Sequence, residues 1–276
     1  MADRRYRALL VTNWEFPDDP TGLPPLRGPQ VDAGIMRAAL TDERTGLHTA
    51  ADVEVVANAG KQEVLLRLED FFRDAGRDDQ LLLYYSGHGQ LDLAGRLFLC
   101  ARDSKVDRLL ATAVAARDIS DLMDESRARA KVVVLDCCHS GGFKGGADLP
   151  EGLAGRGRFV LSSSLPGQRT KDAEDDTAGS PFTRFVVEVL SSGAPDDDHD
   201  GYVSVDDLYH HVTKRMSDAG LSTPQRRFDD AVASVAVART PSQAPTPTVT
   251  PPIEPAPATL ADFLKADGFE RRGRPE

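Results

Sequence analysis

Residues 132–143 read VVVLDCCHSGGF. Four apolar residues, three of them β-branched, run directly into an aspartate, two cysteines, a histidine, a serine and two glycines. A short continuous apolar run of this kind suits a strand buried on both faces of a mostly parallel sheet. Successive strand side chains point to opposite faces, so Asp136 and Cys138 share one direction and Cys137 takes the other. Cys137 is expected inside, packed as a small hydrophobe. Cys138 stands at the carboxyl end of the strand, the edge where open α/β sheets hold their ligands. It is the candidate nucleophile. A metal centre made of Cys137, Cys138 and His139 is disfavoured, because three consecutive residues do not easily converge on one tetrahedral ion.

Further runs of the same character flank this one: YRALLVTN (6–13), VEVVAN (53–58), QLLLYYS (80–86), RFVLSSS (158–164) and AVASVAVA (231–238). Helical stretches are expected between them near 30–41, 61–75, 117–128, 181–192 and 205–218. In VLLRLEDFF (64–72), Leu65, Leu68 and Phe72 fall on one face. The alternation predicts an α/β sandwich, with a mostly parallel sheet of about six strands and helices on both faces. QLDLAGRLFLCARD (90–103) reads as a small hairpin turning at Ala94-Gly95.

A cysteine nucleophile needs a base to form thiolate, and that base need not be a sequence neighbour. His139 is poorly placed, since adjacent side chains point apart. LLLYYSGHGQ (81–90) is a second buried strand entering a glycine-bracketed histidine, so His88 is the candidate base. Glycines there let backbone approach a substrate, and the N–H groups of Gly89 and Cys138 are candidate oxyanion donors.

YYSGHG and LDCCHSGG together resemble the histidine and cysteine boxes of caspase-like cysteine peptidases. The metacaspase and bacterial caspase-homologue branch is the nearer likeness. LRGPQVDAGIMRAAL (26–40), SPFTRFVVEVL and DGYVSVDDLYHHV add support, and the likeness spans roughly 5–238. It implies a caspase-like three-layer sandwich and a Cys138–His88 dyad acting on a protein or peptide substrate. It also implies that Asp32 and Asp136 are substrate-binding. Two carboxylates in one pocket would pair with a P1 Arg or Lys, so basic rather than acidic specificity is expected. Bacterial relatives suggest a role in regulated proteolysis, defence or cell death.

Composition bounds the remainder. With 33 Lys and Arg against 44 Asp and Glu, the formal net charge of the 276 residues is −11. That disfavours non-specific binding to nucleic acid or to an anionic membrane. No apolar run reaches 18 residues, and the N-terminus reads as a strand rather than a signal peptide. Three cysteines, two of them adjacent, form no disulfide framework. A cytoplasmic location is expected.

The peptidase domain is expected over 1–239, followed by a linker with seven prolines over 240–259. Residues 260–276 form a short tail, a docking segment for a protein partner or the stub of a further domain. DDDHDGYVSVDD (196–207) fits an EF-hand-like loop, with Asp196, Asp198, Asp200 and Asp207 as candidate calcium ligands. Asp at the last position is short for bidentate coordination, so no cofactor is expected to be required. Arg156, Arg158, Arg169 and Lys171 follow the cysteine box as candidate self-cleavage points. The competing functional reading is a catalytically silent caspase-like signalling or scaffold module.

Overall fold

Apolar runs and amphipathic stretches alternate along the chain because each helix must cover one face of the sheet before the next strand is laid down. A computed structural model describes residues 4–137, 139–140, 153, 157–163, 172–173, 177–193, 196–229 and 235–241. In chain order the first elements are β1 (Tyr6–Thr12), α1 (Gly28–Leu40), β2 (Val53–Ala57), α2 (Lys61–Arg73) and β3 (Gln80–Ser86). Then come β4 (Gly89–Leu91), β5 (Leu97–Leu99), α3 (Leu109–Thr112), β6 (Val114–Ala115), α4 (Ala116–Glu125), β7 (Ala130–Asp136) and β8 (His139–Ser140). The last are β9 (Arg158–Ser162), α5 (Pro181–Ser192), β10 (Tyr202–Ser204), α6 (Val205–Asp218), β11 (Gln225–Asp229) and β12 (Ala236–Arg239).

The main sheet has six strands in the order β11-β9-β7-β3-β1-β2. Five run parallel, and β11 closes one edge antiparallel to β9. Strand alternation sends Leu9, Leu83 and Leu135 to one face, against Leu68, Phe72 and Ile119 from α2 and α4. Leu10, Leu82 and Val134 face the other way, against Met36, Phe182 and Leu208 from α1, α5 and α6. The result is the expected three-layer α/β sandwich. On α2 the buried stripe is Val64, Leu68, Phe71 and Phe72, while Leu65 packs at its margin.

The sixth strand is not the one expected. QRRFD (225–229) carries no apolar run, yet it forms the edge of the main sheet. Edge strands need no second buried face and often carry charge. The apolar end of AVASVAVA instead becomes β12, which pairs antiparallel with β10 in a separate two-stranded sheet. The anticipated hairpin forms as β4 and β5, inside a four-stranded sheet ordered β6-β5-β4-β8. The Pro-rich segment from 242 and the tail lie outside the described residues. Among the described residues, no helix is long and apolar enough to cross a membrane.

Candidate active site

The carboxyl ends of β1, β3 and β7 lie in register, Thr12 beside Ser86 and Ser86 beside Asp136. Beyond β3 the chain turns at Gly87, whose N–H donates to the Asp136 carbonyl at 3.2 Å. A Cβ at Gly87 would stand 2.6 Å from the Tyr85 hydroxyl and 3.0 Å from the Asn13 carbonyl, so this turn requires glycine. The chain then reaches His88.

The His88 carbonyl is held from two sides. It accepts from the Cys100 N–H at 2.9 Å and from the Tyr85 hydroxyl at 2.8 Å. The same hydroxyl lies 2.8 Å from the Cys100 carbonyl. The half-buried imidazole packs 4.9 Å from Phe16, ring centroid to centroid. Its Nε2 lies 2.7 Å from the Pro24 carbonyl oxygen. A carbonyl only accepts, so Nε2 carries the proton and the neutral ring keeps its lone pair on Nδ1. Burial lowers the His88 pKa, opposed by the Pro24 contact and the Asp172 charge. A neutral imidazole with a basic Nδ1 is what thiol deprotonation requires.

Sequence patterns offered no third group behind the histidine, and Pro24 takes that place. It acts through its backbone carbonyl, which its residue type cannot announce.

Gly89 opens β4, between Leu99 on one side and His139 on the other. Cys138 lies outside the described residues, and its neighbours are informative. Cys137 is 2% exposed and packs among Leu83, Leu135 and their face of the core, as strand alternation required. The backbone of His139 pairs with Gly89, the residue following His88.

Asp32 and Asp136 come together on the opposite face of the sheet edge, although 104 positions separate them in sequence (136 − 32). They are 0% and 6% exposed. Asp32 Oδ2 accepts from the Ser86 hydroxyl at 2.7 Å, and Oδ1 from the Ser180 backbone N–H at 2.8 Å. Asp136 Oδ2 accepts from the Ser180 hydroxyl and from Thr183 Oγ1, the latter at 2.7 Å. Tyr84 Oη lies 2.5 Å from Thr183 Oγ1 and extends the network inward.

Burial, then the Asp136 charge, pushes the Asp32 carboxyl up to about 8. Burial raises Asp136 as well, against the bonds from Ser180 and Thr183. Two buried carboxylates this close take up a proton between them when no cation is present.

Ser86, Ser180 and Thr183 were not singled out from the sequence. Ser180-Pro181 reads as a helix start, and Ser180 is indeed the N-cap of α5. Only packing reveals that this cap stands on both carboxylates.

Elsewhere, Asp196, Asp198 and Asp200 bring carboxylate oxygens within 4.8 Å of one another. Asp207 does not join them. Its Oδ2 accepts from the Ser204 N–H and hydroxyl in a capping box at the start of α6. Of the four aspartates named from spacing, three therefore lie together and the fourth stands in the cap of α6.

Arg158 is a second correction. It begins β9 at 2% exposure, with bonds to Ser120 Oγ at 2.7 Å, the Ser120 carbonyl at 3.0 Å and Asp124 at 2.5 Å. Cleavage after it would need that strand to unfold. Arg156, Arg169 and Lys171 lie outside the described residues.

Comparison with known proteins agrees with this architecture. Caspase-1 from Spodoptera frugiperda, a solved structure, superposes with a TM-score of 0.61 at 16% identity. The match covers 87% of this chain and 92% of that one, and at such identity the likeness is one of fold. No curated protein matches the sequence. The caspase domain family model matches residues 5–250, and the chain therefore belongs to the caspase domain family of cysteine-type peptidases.

Proposed function

We propose that this protein is a cysteine endopeptidase of the metacaspase type, working through a Cys138–His88 dyad and cleaving after Arg or Lys. The observation that carries the specificity is the buried Asp32–Asp136 pair, which lies at the same sheet edge as the neutral His88. His88 Nδ1 takes the thiol proton from Cys138. The thiolate adds to the scissile carbonyl carbon, and the oxyanion is received by the N–H groups of Gly89 and Cys138. As the C–N bond breaks, the imidazolium returns the proton to the leaving amine. Water, deprotonated by His88, then hydrolyses the thioester and regenerates the thiol.

The P1 cation meets two carboxylates, and an Arg there can bind in bidentate fashion. Arg156, Arg169 and Lys171 after the cysteine box are the proposed self-processing points, within a bacterial regulated-proteolysis system.

The test is hydrolysis of fluorogenic peptides with P1 Arg, Lys or Asp by wild type and by Cys137→Ala, Cys138→Ala and Asp32→Asn. Arg and Lys cleavage should vanish in Cys138→Ala and persist in Cys137→Ala. In Asp32→Asn, kcat/KM for P1 Arg should fall roughly 100-fold, because one partner of a buried charge pair is removed. Cleavage after Asp would overturn the pocket assignment. Activity surviving Cys138→Ala would overturn the nucleophile.

A further inference from the structure

Ser180 is the residue through which the two pocket carboxylates are joined. Its backbone N–H donates to Asp32 Oδ1 at 2.8 Å and its hydroxyl donates to Asp136 Oδ2. The residue is 7% exposed. It is anchored from behind, since Thr183 N–H donates to Ser180 Oγ at 3.2 Å in the first turn of α5. The preceding Gly179 allows the contact, because a Cβ there would stand 2.7 Å from Asp32 Oδ1 and 2.6 Å from Ile35 Cδ1. Asp32 comes from α1 and Asp136 from β7, so neither backbone alone fixes one carboxylate against the other. An N-cap needs only a side-chain acceptor for its own helix. Ser180 also donates outward, to one oxygen on each acid.

We propose that Ser180 is the positioning residue of the basic-side-chain pocket, setting the orientation of the Asp32 and Asp136 carboxylates toward one incoming cation. The inference rests on the reading of these aspartates as the P1 pocket. It assigns P1 affinity in part to a helix cap that meets the carboxylates rather than the substrate. Without the hydroxyl, Asp136 keeps the Thr183 donor but loses the one that ties it to the residue holding Asp32, and its carboxylate is less firmly oriented toward a shared cation. A guanidinium then finds one well-placed carboxylate instead of two.

The experiment uses the full chain and two probes, benzamidine binding by calorimetry and KM and kcat for a P1-Arg fluorogenic peptide. Variants are Ser180→Ala, Ser180→Gly, Ser180→Thr and Asp32→Asn. Glycine is itself a tolerated N-cap, so Ser180→Gly remains folded if Ser180→Ala does not. Loss of one hydrogen bond to a charged group predicts roughly tenfold or greater weakening of benzamidine in Ser180→Ala and Ser180→Gly. The peptide should show a matching rise in KM rather than a fall in kcat, and Ser180→Thr should restore both. Benzamidine affinity within twofold of wild type in Ser180→Gly, with Asp32→Asn still weakened, overturns the role of Ser180 and leaves the pocket standing. Unchanged binding in Asp32→Asn overturns the pocket itself.

Discussion

Asp32 and Asp136 share a buried hydrogen-bonded network, so keeping both ionised works against the folded state. Asp32 rises from 3.8 to about 8, which means the native protein binds more protons than the unfolded chain between those values. Its contribution to stability is fully present below pH 3.8 and is lost as pH rises through about 8. His48 acts in the opposite sense. Burial lowers it from 6.5 to about 4, so its contribution is lost as pH falls from 6.5 toward 4. Between pH 6.5 and 8 the aspartate effect therefore stands apart. The melting temperature of the ligand-free protein should fall across that window, and the fall should flatten in Asp32→Asn. An equal slope in both proteins would show that the pair is ionised throughout. The Tyr85 hydroxyl holds the carbonyl of His88. Tyr85→Phe should lower kcat roughly tenfold for P1 Arg and Lys alike by letting the imidazole shift. KM should change little, in contrast to substitutions at Ser180.

At the scale of elements, the six-stranded sheet depends on how β9 is fastened. Arg158 stands beside Lys131 in the β7–β9 register, two cations at the amino edge of a buried face. Lys131 donates to the Ala128 carbonyl, while Arg158 reaches the Ser120 side chain and backbone. Arg158 is also paired with Asp124 of α4 at 2.5 Å, so charge and hydrogen bonds from that helix tie α4 to the sheet. Arg158→Ala should destabilise the protein by roughly 3 kcal/mol, measured by denaturant unfolding, because buried acceptors lose their donor. A loss below about 0.5 kcal/mol would mean that α4 is held by its apolar face alone. This anchor was not legible from sequence. RFVLSSS reads as an apolar strand, and nothing local tells a buried arginine from an exposed one. The edge strand β11 was missed for a related reason, as QRRFD has no apolar pattern and is specified by pairing with β9. The five strands with continuous apolar runs, and all five longer helices, were legible because burial of one or both faces writes a period into the residues.

For the whole molecule, every buried hydrophobic residue described falls at or before Ala238, and the first compact unit extends to Ser242. A chain truncated after Ser242 should keep the melting temperature of the full protein within about 2 °C and retain P1-Arg cleavage. A markedly lower melting temperature would mean that the tail belongs to the folded domain.

Legible in the residues alone were the alternation that makes an α/β sandwich, the inward turn of Cys137, and the two strand-end boxes carrying His88 and Cys138. These are local properties, in which period, glycine placement and strand parity act over a few residues. It took the folded chain to show that Ser180 joins Asp32 to Asp136, that Pro24 holds the imidazole, and that Asp207 caps a helix apart from the other acids. Each of those depends on groups far apart in the chain, or on backbone atoms common to every residue. Close packing brings them together, and no local pattern records it.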